Sequence, residues 1–390
     1  MKVLFITNNL LDGNGGGSFA SRSFVNAFSE VADTCLLVYP DKGKNIRPYI
    51  DHRIILHSIE DKNKLTRFID IYRGKINRYE HAVIPILATF KPDLIVFDGS
   101  LTSAGLIKII RSQVNKIIVI HHNFEMEYYK GTPPSIFWRF PFMYHLKNAE
   151  RDAFQNSDLN LTLTNQDSNL LRLNYDSEGI SKTEKWGCFE PISTSDSLIK
   201  ENDSTKKKIT FAITGSLGSY QTEVSLIPFL KYIYPNLLKT LPESKLIIAG
   251  KNPSYKLIKE CAKHPSINLI PNPEDMQLVI CRADVYICPT NVGGGLKLRV
   301  MDGLKAGLPV LTHLVSARGY DDFKKAGCLF EYDNEQSFIQ SMESILKEKE
   351  KGNLNKVEIQ KLYWSLFSFE SGVQKLRDLL LKYNLKSYLN

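Results

Sequence analysis

Two series of short apolar, β-rich runs, most of them separated by helical patterns, flank a polar stretch at residues 193–208. The first series is KVLFIT (residues 2–7), TCLLVYP, RIILHSI, DLIVFD, KIIVIHH and LNLTLT. The second is KITFAITGS, KLIIAG, INLIP, DVYICPT, PVLTH and GCLFEY. Strands alternating with helices argue for a parallel sheet covered on both faces. The intervening STSDSLIKENDSTKKK is polar and charged and reads as a linker. The chain is therefore expected to be an α/β protein of two doubly wound, Rossmann-like domains, over 1–195 and 205–365. A last helix in 366–390, roughly Ser368 to Tyr383, could cross back to the first domain. Ligands of such folds bind at the carboxyl ends of the strands, so a cleft between two facing domains is the expected site.

Composition narrows the class. With 390 residues, 43% of them hydrophobic, the chain can fill two cores, which excludes disordered and collagen-like proteins. The net charge of +8 is not one block. Its densest stretch is Lys62, Lys64, Arg67, Arg73, Lys75 and Arg78, with Asp70 the only acid. That reads as a solvated helix face, with anionic lipid headgroups as the alternative partner and hence a peripheral membrane contact. No aromatic recognition motif accompanies the charge, so no nucleic-acid partner is expected. Cysteines 35, 188, 261, 281, 288 and 328 form no C-x-x-C pair and read as reduced core residues of a cytoplasmic protein. The opening MKVLFIT reads as a strand rather than a secretion signal, and no run of about 18 apolar residues suggests a membrane span.

The most informative segment is residues 291–310, NVGGGLKLRVMDGLKAGLPV. It reads as a strand end, a triple-glycine loop, a helix, a glycine stop and a strand. Gly293, Gly294 and Gly295 let backbone approach a ligand closely. The helix that follows presents free N–H groups and a positive dipole end, and Lys297 in its expected first turn adds a full charge. Together these suit a diphosphate. Asp302 lies five residues on, about 7.5 Å along a helix, the reach from a diphosphate to a ribose whose hydroxyls it can accept. Gly307 and Pro309 end the helix.

This segment resembles the donor-binding motif of GT-B glycosyltransferases of family 4, in which a glycine-rich loop and a basic residue precede an acid, a small residue and G-x-P-V. AITGSLGS, KLIIAG and ADVYICPT resemble the strands and turns around that motif, and MKVLFIT…GGG and IVIHHNFEMEYY resemble the first domain more loosely. The resemblance implies a GT-B fold and transfer of a sugar from a UDP- or GDP-sugar to an acceptor hydroxyl with retention at the anomeric carbon. It implies a saccharide, lipid-linked saccharide or glycoprotein acceptor, in bacterial surface polysaccharide or glycoconjugate synthesis, at the cytoplasmic face of the membrane. Donor-binding residues would be Gly16, Gly17, Gly215, Gly293, Gly294, Gly295, Leu296, Lys297 and Asp302. Two departures stand out. Gly294 occupies the position of the motif's earlier acid, and no basic residue follows the TGS turn until Lys231, so Lys297, with Arg299 beside it, would carry the positive charge.

In the first domain Gly15, Gly16 and Gly17 follow the first strand, as a plain turn or as backbone close to the donor. His121 and His122 end KIIVI, with Asn123 and Glu125 just after. The HHNFE stretch is similar to an HN-x-E pattern of related transferases, which implies that His122 approaches the transferred sugar, while His121 points to the opposite face. Catalytic roles are thus expected for His122 and Lys297, and Asp98, Ser100, Asn123 and Glu125 are candidates to line the acceptor pocket. The aromatic run PPSIFWRFPFMY (residues 133–144) reads as core packing, or alternatively as a hydrophobic lip at a membrane. No D-x-D occurs in a suitable loop, so no metal and no cofactor beyond the sugar nucleotide are expected. A catalytically degenerate scaffold, motivated by Gly294, and an epimerase are the rival readings. A nicotinamide dehydrogenase is disfavoured because no G-x-G-x-x-G follows the first strand with an acid about 20 residues on.

Overall fold

The computed structural model describes residues 1–13, 15–60, 64–73, 79–132, 136–192 and 208–385. The chain divides into two compact units, one of residues 1–194, 294–296 and 367–390, the other of residues 195–293 and 297–366.

The first unit is built on strands β1 (Lys2–Thr7), β2 (Thr34–Asp41), β3 (Ile55–Glu60), β4 (Leu94–Asp98), β5 (Lys116–His121), β6 (Leu159–Thr162) and β7 (Thr183–Lys185). All pairings are parallel and the order is β3-β2-β1-β4-β5-β6-β7. Strand order reverses between β1 and β4, where Thr7 lies beside Asp98. Val3–Ile6, Leu94–Phe97 and Ile117–Ile120 are wholly buried, as expected of central strands covered on both faces. β7 (TEK) carries no apolar run, which is why its sequence does not announce a strand; it forms by pairing with β6.

The helix Phe369–Lys382 belongs to this first unit and packs on the helix Gly16–Val31. Ser368 caps it by accepting from the Ser371 N–H. Trp186 donates its Nε1–H to the carbonyl of Gly372 at 2.9 Å and stacks on Phe24, ring centroids 4.7 Å apart. Lys382 pairs with Glu184 at 2.5 Å.

The second unit contains β8 (Thr210–Ser216), β9 (Lys245–Lys251), β10 (Ile267–Pro271), β11 (Val285–Cys288), β12 (Val310–His313) and β13 (Leu329–Tyr332). Again every pairing is parallel, in the order β10-β9-β8-β11-β12-β13, with the reversal between β8 and β11. Its core joins Phe211, Ile213, Leu246, Ile248, Val285 and Ile287 to helix residues such as Leu226, Leu230 and Phe338. Each apolar run of the second series forms a strand.

Two expectations shift. The glycine run opens the first helix at Gly16 rather than forming a separate turn, so Gly16 and Gly17 lie in its first turn. The aromatic run lies within the helix Ile136–Asn156, where Phe140 is 87% exposed and Tyr144 64% exposed, so those two rings are not core residues. Of the basic stretch, Lys62, Lys75 and Arg78 lie outside the described residues, as do Pro133, Pro134 and the linker from Ser193 to Lys207. The six cysteines are free thiols, and all but Cys281 are buried. Among the described residues no helix is long and apolar enough to cross a membrane.

Candidate active site

In the first unit the carboxyl ends of β1, β4 and β5 converge on one carboxylate. Asp98, the last residue of β4, is 1% exposed. Its Oδ2 accepts from the hydroxyl of Thr7 at 2.6 Å and from the hydroxyl of Ser21. Its Oδ1 lies 2.5 Å from Nε2 of His122, the residue directly after β5. The Asn9 amide reaches Ser21 Oγ at 2.9 Å and its backbone N–H donates to Thr7 Oγ1 at 3.0 Å, so the segment after β1 joins the network. Burial disfavours the His122 imidazolium, but the charge and hydrogen bond of Asp98, helped by Glu125, outweigh it and hold the pKa above the ordinary value. Burial works against ionised Asp98 too, and His122, Ser21 and Thr7 nonetheless keep its pKa low.

His121, one residue earlier, is buried and bonded to Asn160 Oδ1 at 2.8 Å; burial pushes its pKa down to about 4, so it is neutral. The alternation expected along the strand therefore separates the two histidines. Asp98 and Ser100 are both 1% exposed, and the Asp98 carboxylate is bonded to His122, Thr7 and Ser21. Gly16 and Gly17 stand at a helix start whose N-cap, Gly15, supplies no side-chain acceptor.

Asn123 and Glu125 follow on a turn into the helix Glu125–Gly131. The Glu125 N–H donates to Glu150 Oε1 at 2.6 Å, and Tyr175 donates its phenolic O–H to Glu150 Oε2 at 2.9 Å. The Phe124 N–H donates to Asp167 Oδ1 at 2.9 Å. Burial raises the Glu125 pKa to about 7, and burial together with the charge of Glu125 raises that of Glu150 to about 8. No motif announces Glu150, Asp167 or Tyr175, since they arrive from distant helices.

In the second unit the glycine loop follows β11. Gly293 (φ +85°) and Gly295 (φ +70°) occupy the left-handed region that side-chain-bearing residues avoid. A Cβ on Gly293 would fall 2.6 Å from the Gln221 amide nitrogen and 3.1 Å from the Lys297 ammonium. The loop delays the helix, which runs only over Arg299–Lys305 with Leu298 as its N-cap. Lys297 therefore precedes the helix rather than sitting in its first turn, and the axial spacing expected between it and Asp302 does not apply. Its backbone carbonyl accepts from the Tyr320 hydroxyl at 2.9 Å, and the residue is 8% exposed. Asp302 is half-buried, and its charge helps burial raise the pKa of Tyr286. Gly294 and Leu296 lie in the same loop and, with Gly295, group with the first unit.

Arg299 emerges as a further member of this site. Its guanidinium donates to Thr290 Oγ1 at 3.2 Å and Thr222 Oγ1 at 3.1 Å, beneath Gly215, whose added Cβ would lie 2.9 Å from Arg299 Cζ. A cation thus stands by the TGS turn although that turn has none in its own sequence. Among the described residues no group of three or more His, Cys, Asp or Glu side chains is placed to share a metal ion.

Two doubly wound parallel sheets, each with its order reversed beside the first strand, are the architecture of the GT-B fold. Solved structures agree with that fold. HepE from Anabaena, in complex with UDP, gives a TM-score of 0.68 at 12% identity, covering 98% of this chain and 100% of that one. Sucrose-phosphate synthase from Thermosynechococcus elongatus gives 0.70 at 12% identity, covering 99% and 100%. The pneumococcal O-GlcNAc transferase GtfA, in complex with UDP and GlcNAc, gives 0.64 at 12% identity, covering 98% and 99%. No curated protein matches the chain in sequence. Residues 208–348 match the family model described as Glycosyl transferases group 1. The chain therefore has the GT-B fold, and residues 208–348 of its second unit resemble a group 1 glycosyltransferase domain.

Proposed function

We propose that the protein moves a sugar from a UDP- or GDP-sugar to an acceptor hydroxyl with retention of anomeric configuration. The observation that carries this reading is the loop Gly293–Lys297 after β11, whose Gly293 and Gly295 take the left-handed backbone that glycine supplies freely, with Lys297 and Arg299 close by. The UDP bound in the HepE and GtfA structures supports the nucleoside-diphosphate donor.

In the reaction the bond from the anomeric carbon to the donor's β-phosphate oxygen breaks and its electron pair leaves with the diphosphate. The acceptor oxygen forms the new bond on the same face and gives its proton to the departing phosphate. Lys297 and Arg299 stabilise the negative charge that develops, and removing one such group typically costs about 3 kcal/mol of barrier. Asp302 accepts from the ribose hydroxyls. His122, its ring oriented by the hydrogen bond to Asp98, positions the transferred sugar. Saccharide or lipid-linked acceptors at the cytoplasmic membrane face suit the net charge of +8 and the exposed Phe140 and Tyr144.

The test is incubation with a panel of UDP- and GDP-sugars and saccharide acceptors, with the product's anomeric configuration read by NMR. A product of inverted configuration overturns retention. Calorimetry showing uptake of neither UDP nor GDP overturns the reading altogether.

A further inference from the structure

The segment that carries His122 is held by acids from elsewhere in the first unit. Glu150, 0% exposed, projects from the helix Ile136–Asn156 and accepts the N–H of Glu125 at 2.6 Å, while Tyr175 donates to its other oxygen at 2.9 Å. Asp167, 2% exposed, accepts the N–H of Phe124 at 2.9 Å and the hydroxyl of Thr164. Two consecutive backbone N–H groups, immediately after His122 and Asn123, are thus fixed by carboxyls from two other helices. A buried acceptor of this kind immobilises a turn more firmly than water does.

We propose that Glu150 is a positioning residue: through the Glu125 N–H it holds the turn that presents His122 to Asp98, and it holds it only while the Glu125–Glu150 pair carries a proton. The proposal rests on the transfer reading above. The charge of half-buried Glu125 opposes ionisation of buried Glu150, so one proton stays with the pair until the pH is high enough to remove it. Among the described residues, several charged or titratable groups face the pair. His122 attracts an ionised Glu125 and Asp167 repels it. Tyr128 and Tyr129 lie near Glu125, and Tyr175, with Arg151 close by, lies at Glu150. Loss of the last proton puts two negative charges against the turn, and displacement of a reacting group by about 1 Å costs on the order of 10²-fold in rate.

The experiment compares wild type, Glu150→Gln and Glu150→Ala by the pH dependence of kcat and by NMR titration of the His122 ring. Glutamine cannot ionise, and its amide oxygen still accepts the Glu125 N–H. Wild type is expected to lose kcat as pH rises past about 8, and Glu150→Gln to keep its kcat there. Glu150→Ala is expected to lose on the order of 10²-fold in kcat with little change in donor KM, and its His122 midpoint is expected to fall. Superimposable pH profiles for wild type and Glu150→Gln overturn the proposal, even if Glu150→Ala fails to fold. The ring titration needs no turnover. An inactive wild type whose His122 midpoint still depends on residue 150 sinks the transfer reading and leaves the positioning role standing; an active one whose midpoint is indifferent to residue 150 sinks the positioning role alone.

Discussion

Nε2 of His122 lies 2.5 Å from Oδ1 of Asp98, and the Asp98 side chain is sealed from solvent by Thr7, Ser21 and the sheet. A buried pair of this kind is costly to break from one side, because the remaining partner keeps its desolvation penalty.

Asp98→Asn keeps the shape and removes the charge. The His122 midpoint should then fall below the ordinary 6.5, because burial remains and the compensating carboxylate does not. Proton NMR of the imidazole checks it, and an unshifted midpoint would show that Asp98 does not set the charge of His122. Asp98→Ala should cost about 3–5 kcal/mol in urea unfolding, since Thr7, Ser21 and His122 all lose their partner.

The same pair sets a pH window for stability. Asp98 titrates below its ordinary 3.8 when folded, so its contribution is full above 3.8 and is lost as pH falls through the lowered value. His122 titrates above 6.5 when folded, so its contribution is full below 6.5 and is lost as pH rises through the raised value. The difference in unfolding free energy between wild type and Asp98→Asn should therefore be largest between those bounds, 3.8 and 6.5, and shrink on either side. Denaturant titrations across the range measure it.

Lys297→Ala and Arg299→Ala should each weaken UDP binding by about 10- to 100-fold, the worth of one charge-assisted contact. Uridine should bind these variants as it binds wild type, because the cations act on phosphate. Calorimetry with both ligands decides the matter: equal weakening of uridine would move the two residues away from the diphosphate.

Gly303→Ala should destabilise the second unit by about 1–3 kcal/mol, the usual cost of overpacking. Its Cβ would fall 2.5 Å from the ring of Tyr286 on β11, so the helix Arg299–Lys305 would have to lift from the sheet. The urea midpoint measures the loss, and a neutral result would mean that the ring moves aside freely.

Removing residues 368–390 should destabilise the first unit. Trp186 would lose its acceptor on Gly372, and the ring of Phe189, which Gly372 approaches closely enough to exclude a Cβ, would lose its cover. A red shift in tryptophan emission with a lower Tm is the expected outcome.

Much of the fold was readable because parallel strands covered on both faces must be continuous apolar runs, and KVLFIT, DLIVFD, KIIVIHH and KLIIAG have no other use. β7 escaped because an edge strand of three polar residues is made by its neighbour rather than by its own composition. The glycine loop was readable because left-handed backbone at Gly293 and Gly295 requires a residue without a Cβ. The start of the helix after it was not, since that depends on where the loop releases the chain.

Sequence by itself determined the two series of strands, the glycine loop, and the placing of His122 at the end of β5. These are local properties: periodicity, backbone freedom and distance along the chain. Only the tertiary structure decided that Asp98 bonds His122, that Arg299 stands beneath Gly215, and that Glu150 and Asp167 hold the turn at Phe124 and Glu125. Charges and hydrogen bonds act through space. Partners separated by 24, 25 and 43 residues meet only once the sheet and its helices have packed.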